Sequence, residues 1–155
     1  MSKQFFIYGT HAVLAALKNP RRRAQKLWLT PKSQGIFTTF LKQVLHKITD
    51  DKTLETLVPK GAVHQGVVLE TTSLAEIGLE DLVKDFSEDA CVVLLDQVTD
   101  PQNLGAILRS CAAFGADALI VPDHHSPQFE GTIAKVASGA LEHVPVIRVI
   151  TWRGP

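Results

Sequence analysis

The side chains best suited to chemistry lie in Asp96–Gly115, DQVTDPQNLGAILRSCAAFG. Asn103 offers a hydrogen-bond donor and an acceptor, and Arg109 is the only basic residue between Lys84 and Lys135. A guanidinium must contact a carboxylate, a phosphate or water, because burying it unpaired is too costly. Six residues correspond to roughly 120° around a helix, so Asn103 and Arg109 do not share a face by spacing alone. An ordinary capped helix with a solvent-facing arginine remains open as an interpretation.

The elements around this segment predict a parallel α/β sheet. The predicted strands are Cys91–Leu95, Ala118–Val121 and Val144–Ile150, and the predicted helices are 101–114 and Glu130–Ser138. Cys91–Leu95 is a continuous apolar run, typical of a strand buried on both faces. Asp100-Pro101 is a cap followed by a proline at the first helical position, and Gly115 ends the helix. Ligands bind at the carboxyl ends of such strands, where Gly105 would keep the first helical turn thin enough for close approach.

The first 72 residues predict a separate, small α/β domain. Its predicted strands are Phe5–Tyr8, Lys26–Thr30 and Val63–Thr71, and its predicted helices are His11–Leu17, capped by Thr10, and Ile36–Ile48, whose apolar residues recur every three or four positions. Ser73 and Glu76 form a capping-box pattern that predicts a further helix over Leu74–Val83. The composition changes near 72–90. We therefore expect domains at 1–72 and 91–155, joined by 73–90.

Charge is divided unequally between these two parts. Residues 1–60 contain 11 of the 16 basic residues but only 3 of the 16 acidic ones, so the remainder is acidic. This asymmetry favours contact between the first domain and a polyanion, and Arg21, Arg22 and Arg23 are the leading candidates for phosphate contact. A solvated basic turn is the alternative.

Other features of the sequence exclude several classes of protein. No apolar run is long enough for a membrane span, so none is expected, and the reduced state predicted for the two cysteines below is typical of a cytoplasmic protein. Cys91 and Cys111 predict two reduced core thiols. Asp123, His124 and His125 could suggest a metal site, but nothing else lies at ligand spacing, so we expect no metal and a plain surface loop. A nucleotide-binding domain of another enzyme class is disfavoured, because no G-x-G-x-x-G or phosphate-loop motif is present.

Asp96–Gly115 closely resembles the first signature motif of the SpoU/TrmH family, in the SPOUT class of S-adenosylmethionine-dependent RNA 2′-O-ribose methyltransferases. KVASGALEHVPVIRV (Lys135–Val149), IYGTHAVLAAL (Ile7–Leu17) and VHQGVVLE (Val63–Glu70) are similar to other family segments. The resemblance covers about residues 5–149. It implies a small N-terminal α/β RNA-binding domain followed by a parallel-sheet methyltransferase domain of the α/β knot type.

The resemblance also implies roles for individual residues. Asn103 and Arg109 would belong to the catalytic centre, where the arginine helps to activate the ribose hydroxyl and the asparagine organises the pocket. His11, Gln65 and Gly66 match positions of the RNA-binding domain. Ser138, Gly139 and Glu142 match the second segment, as residues of packing or of a dimer interface, or alternatively of the site.

Family members continue beyond the point where this sequence ends, with a glycine-rich acidic segment and a serine-asparagine-rich segment that hold the cofactor and much of the dimer interface. Thr151–Pro155 does not resemble the family. We therefore expect a truncated form that lacks the knot and the cofactor residues, has lost methyl transfer and retains RNA affinity through 1–72. The implied reaction of the family is methylation of a ribose, with a guanosine of large-subunit rRNA favoured over tRNA. A non-catalytic RNA-binding fragment is the alternative.

Overall fold

The computed structural model describes residues 4–75, 77–84, 86–123 and 131–149. Its strands are β1 (Gln4–Tyr8), β2 (Ala24–Leu29), β3 (His46–Ile48), β4 (Val67–Thr72), β5 (Val92–Leu94), β6 (Ala118–Pro122) and β7 (Val146–Val149). Its α-helices are α1 (Thr10–Lys18), α2 (Asp51–Glu55), α3 (Leu79–Val83), α4 (Pro101–Phe114) and α5 (Gly131–Ala137). Two short 3-10 helices cover Gln34–Phe40 and Ala140–Glu142.

These strands form two sheets. The first has the order β1-β4-β2-β3, with β4 antiparallel to both neighbours and β2 parallel to β3. The second has the order β5-β6-β7 and is parallel throughout, as predicted from the alternation of strands and helices. One apolar core joins them, because Ile7 and Leu27 of the first sheet belong to the same cluster as Leu108 and Leu119 of the second part.

The helix predicted over Ile36–Ile48 is wrong. The structure has a 3-10 helix at Gln34–Phe40, a turn, and then β3. Phe37 is fully buried, whereas Ile36 is 53% exposed and Leu45 is 68% exposed, so the apolar spacing does not correspond to one buried helical stripe. Pairing of β3 with β2 satisfies backbone groups along an edge of β2 that would otherwise be unpaired, and this tertiary pairing overrides the local pattern.

Two predicted helix starts also differ from the structure. Thr10 makes no side-chain cap; Gly9 takes the cap position with φ 89°, and the Thr10 N–H donates to Gln65 Oε1 at 2.9 Å. The helix predicted over Leu74–Val83 begins instead at Leu79, after Gly78. Glu76, the second half of the predicted capping box, lies outside the described residues.

The strand predicted at Cys91–Leu95 is shorter and more exposed than expected. It is an edge strand, β5, in which Val92 is 38% and Leu94 is 42% exposed. Cys91 is therefore exposed rather than a core thiol, while Cys111 is buried as predicted. Burial raises the pKa of the Cys111 thiol, because a thiolate is poorly solvated there.

A local carboxylate cap begins α2, and it predicts a pH effect. Asp50 accepts a hydrogen bond from the Thr53 N–H at 2.9 Å, and contacts with Thr53 lower the pKa of Asp50. A lowered folded-state pKa means that this contribution is complete above the unfolded-state pKa and is lost as pH falls through the folded-state value. Asp50→Asn can still cap the helix but does not titrate. In this variant we expect the unfolding temperature, measured by circular dichroism, to fall less steeply on the acid limb of its pH dependence. An unchanged acid limb would contradict this role.

Candidate functional site

Helix α4 begins and ends at the residues predicted from local signals. The Asp100 carboxylate accepts from the Asn103 N–H at 2.9 Å, Pro101 occupies the first turn, and Gly115 adopts the left-handed conformation at φ 69°. The cap gives the helix a well-defined start at the carboxyl edge of the parallel sheet. An expected consequence is that Asp100→Ala destabilises the fold by about 1 kcal/mol, whereas Asp100→Asn changes it little. Urea denaturation of the two variants measures the difference, and equal losses would rule out the cap.

The two predicted catalytic side chains both lie on the solvent side of α4. Asn103 and Arg109 are exposed, and the opposite face of the helix buries Leu104, Leu108 and Cys111 at spacings of four and three. Within the described part of the chain, neither side chain forms a hydrogen bond or an ion pair. The arginine is therefore available to an external anion, but α4 does not by itself bring the two groups together.

Gly105 has a packing role in this structure. A Cβ built on it would lie 2.6 Å from Val136 Cβ and 3.2 Å from the Ala137 backbone nitrogen. The close approach predicted for this turn therefore occurs, but the approaching group is helix α5 rather than a ligand. The contact fixes α4 against α5 on one side of the sheet.

The carboxyl edge of the sheet gathers the ends of its three strands. Gln97, which follows β5, has φ 56°, and Asp123 and Arg148 form an ion pair of 3.7 Å beside the ends of β6 and β7. Among the described residues, the one buried side-chain polar atom without a partner is Trp28 Nε1, in the other sheet. At this edge the side-chain polar atoms that are described and buried all have partners within the protein.

A buried ion pair joins the N-terminal domain to the second part. Arg22 Nη2 lies 2.6 Å from Glu142 Oε1 and Arg22 Nε lies 3.1 Å from Oε2, with the side chains only 1% and 2% exposed. Arg22 Nη1 also donates to the Thr72 carbonyl at 3.0 Å, and Asn19 Nδ2 donates to Glu142 Oε2 at 2.7 Å. The phosphate contact predicted for Arg22 is therefore corrected, since its donors are directed into the protein.

The other arginines of this turn remain at the surface. Arg21 and Arg23 are both exposed, although Arg21 Nη2 donates to the Glu142 carbonyl at 3.2 Å. The pairing of Arg22 with Glu142 was not predicted from the sequence, because 120 residues separate the two. The signal available in the sequence was Glu142, which lies in an apolar segment, because a buried carboxylate requires a partner.

The two candidates of the RNA-binding domain lie at the same junction. Gln65 Oε1 accepts from the Thr10 N–H and, at 2.6 Å, from Lys135 Nζ of α5. Gly9 leaves the space that the Lys135 side chain fills, and burial lowers the pKa of Lys135. His11, at the start of α1, is exposed. Lys135 was not predicted as a site residue, because its contact with Gln65 spans 70 positions.

The remaining candidates are divided between packing and surface. Gly139 has φ 97° and packs against Ala15, Glu142 is buried in the ion pair, and Ser138 is exposed with φ 53°. His124 and His125 lie outside the described residues. The described ranges contain no group of three residues that could hold a metal ion, and none of their helices could cross a membrane.

A small mixed sheet, joined to a parallel sheet with a capped helix at its carboxyl edge, defines a two-part α/β protein of the class that includes RNA methyltransferases. The model of the SpoU rRNA methylase family matches residues 90–154, and the model of the RNA 2′-O ribose methyltransferase substrate-binding region matches residues 6–76. The chain belongs to the SpoU family, as its motifs predicted.

Sequence and structure comparisons agree with this placement. The chain is 37% identical to the 23S rRNA (guanosine-2′-O-)-methyltransferase RlmB of Neisseria meningitidis over 96% of its own length and 62% of the relative's. It is also 37% identical to the Escherichia coli K12 enzyme of that name, covering 92% of this chain and 62% of that one. The SpoU methyltransferase AviRb of Streptomyces viridochromogenes, solved with AdoMet, has a TM-score of 0.79 at 24% identity, over 96% of this chain and 56% of that one. This structural likeness confirms the predicted fold class.

Proposed function

We propose that the protein transfers the methyl group of S-adenosylmethionine to a ribose 2′-hydroxyl of RNA, with a guanosine of large-subunit rRNA as its target. The observation that carries this proposal is the exposed pair of polar side chains, Asn103 and Arg109, on the capped helix at the sheet's carboxyl edge. The relatives' activity supports the substrate, because two of them are 23S rRNA guanosine methyltransferases. Because its proposed substrate is ribosomal RNA, we propose that the protein acts in the cytoplasm.

The chemistry that this chain's residues can supply is electrostatic. A ribose hydroxyl is a weak nucleophile, and its oxygen gains negative charge as it is alkylated. Arg109 can bind the adjacent phosphate and stabilise that charge, while Asn103 can orient the hydroxyl through its donor or its acceptor. S-adenosylmethionine, when bound, would supply the electrophilic methyl group.

The position of the two side chains on α4 bears on assembly. They lie roughly 120° apart around the helix, so one α4 does not direct both at one atom. The homodimer that the family resemblance implies would place a second copy near the site, and we propose that one group comes from each copy. In this arrangement residues 1–72 bind the RNA, with Arg21, Arg23, His11 and Gln65 as candidate contacts. Residues 73–90 connect them to the methyltransferase part, 91–155.

The proposal is tested with the full chain, S-adenosylmethionine labelled in its methyl group, and a 23S rRNA transcript. Alkali-resistant labelled dinucleotides are the product expected of the proposed reaction, because a methylated 2′-oxygen cannot attack the neighbouring phosphate. The loss of transfer expected from the sequence predicts that none will form. Arg109→Ala should reduce the rate by about 10²- to 10³-fold, and Lys42→Ala, which also removes one exposed charge, should not. Transfer that is equally fast in both variants would exclude the role of Arg109.

A second candidate function is RNA binding without catalysis. The basic excess within residues 1–60 favours it. Calorimetric titration with S-adenosylmethionine separates the two functions. Saturable binding together with transfer supports the enzyme, whereas RNA binding without heat from the cofactor supports the binding protein. The chain spans 62% of the length of the relatives above, and the titration measures directly whether this part binds S-adenosylmethionine.

A further inference from the structure

Two lysines converge on one tryptophan on the outer face of the N-terminal sheet. Lys26 Nζ lies 4.1 Å from the centroid of the Trp28 ring, and Lys47 Nζ lies 5.3 Å from it. Lys26 shares strand β2 with Trp28, and Lys47 is paired directly opposite Trp28 on β3. We call this group of three residues the Trp28 face. The inner face of the same strand buries Leu27 and Leu29 in the main core.

The two lysines of the Trp28 face form no ion pair with a described carboxylate. Among the described residues, no acidic group lies within ion-pairing distance of Lys26 or Lys47. Glu70 stands opposite Lys26 in the strand register, yet the two form no ion pair. Two neighbouring cations without a counter-charge repel each other, and an anion bound between them would remove that cost.

Trp28 is held in place by its apolar surroundings. Its ring packs against the smaller core cluster of Tyr8, Leu54 and Val68. Its Nε1 is buried without a hydrogen-bond partner, so hydrogen bonding does not account for an indole at this position. The ring's interaction with cations does account for it, because tryptophan is the strongest aromatic partner for an ammonium group.

From these observations we infer that the Trp28 face contacts the RNA backbone. Lys26 and Lys47 would hold phosphates, and the Trp28 ring would keep their two ammonium groups side by side. The inference rests on the proposed function and locates its RNA contact. The two lysines take the place of the phosphate contact predicted for Arg22, because the Arg22 guanidinium is paired with Glu142.

The test compares two double variants of the full chain. Lys26→Ala/Lys47→Ala removes both cations of the Trp28 face, and Lys42→Ala/Lys52→Ala removes two exposed lysines elsewhere in the same domain. The probe is a fluorescein-labelled 23S rRNA transcript, followed by anisotropy over a series of salt concentrations. We expect the first variant to bind on the order of tenfold more weakly at about 0.15 M salt, with a salt dependence reduced by about two charges. The control should lose far less.

A second measurement reports directly on the Trp28 face. The sequence has two tryptophans, so Trp152→Phe leaves Trp28 as the single indole fluorophore. Quenching of its emission on addition of the transcript supports the inference. Equal losses in the two double variants, with unchanged Trp28 emission, would overturn it while leaving RNA binding intact. An unmodified chain that binds no transcript would instead overturn the proposed function together with this inference.

Discussion

Replacing Arg22 with alanine should lower the free energy of unfolding by about 3–5 kcal/mol. The substitution leaves the Glu142 carboxylate almost completely buried without its two guanidinium hydrogen bonds, and it removes the Arg22 donor to the Thr72 carbonyl. Urea denaturation followed by circular dichroism measures the loss. The matched control is Lys84→Ala, which breaks a highly exposed ion pair with Asp81 and should change stability little.

A double-mutant cycle shows whether the loss comes from the unpaired carboxylate. Glu142→Leu removes the buried negative charge, so Arg22→Ala/Glu142→Leu should be more stable than the sum of the two single losses predicts, by about 0.5–3 kcal/mol. Strict additivity would mean that Arg22 contributes through packing on Phe5, over whose ring its guanidinium lies at 5.6 Å, rather than through Glu142.

The second large effect is expected for Gly139→Ala, with a loss of about 2–5 kcal/mol. Two costs combine here. At φ 97° an L side chain is strained by about 1–2 kcal/mol, and the new methyl group would lie 2.7 Å from Ala15 Cβ of α1, an overpacking that costs about 1–3 kcal/mol. Thermal and urea unfolding both measure the change.

Two further variants separate these costs. Gly115→Ala introduces a side chain at φ 69° with nothing within 4 Å, so it should show the strain alone. Adding Ala15→Gly to Gly139→Ala removes the opposing methyl group and should recover part of the packing loss. If Gly139→Ala and Gly115→Ala cost the same, the contact between α1 and the segment after α5 contributes nothing.

These contacts give the junction a functional meaning. Three contacts join the N-terminal domain to the segment Lys135–Val149: Arg22 with Glu142, Gln65 with Lys135, and Ala15 with Gly139. Helix α5, which overlaps the start of that segment, packs on α4, and α4 carries Asn103 and Arg109. The junction therefore sets the position of the proposed RNA-binding surface relative to the proposed site. We expect variants of the junction to alter where on an RNA the protein binds as well as its stability.

Much of the second part could be predicted from the sequence because its signals are local. Asp100-Pro101 and Gly115 determine both ends of α4 within a few residues of chain. Apolar runs separated by helices predicted the parallel sheet, and the long motif around Asn103 and Arg109 indicated the family from the sequence alone.

The tertiary structure alone decided the properties that depend on distant partners. The chain at Ile36–Ile48 has helical spacing, yet β2 offered an open edge and part of it became a strand. Arg22 belongs to a basic turn in sequence, and only the position of Glu142 makes it a buried structural residue. Burial and pairing across about 120 residues are not encoded in neighbouring positions, because the cost of desolvating a charge depends on what the folded chain places beside it.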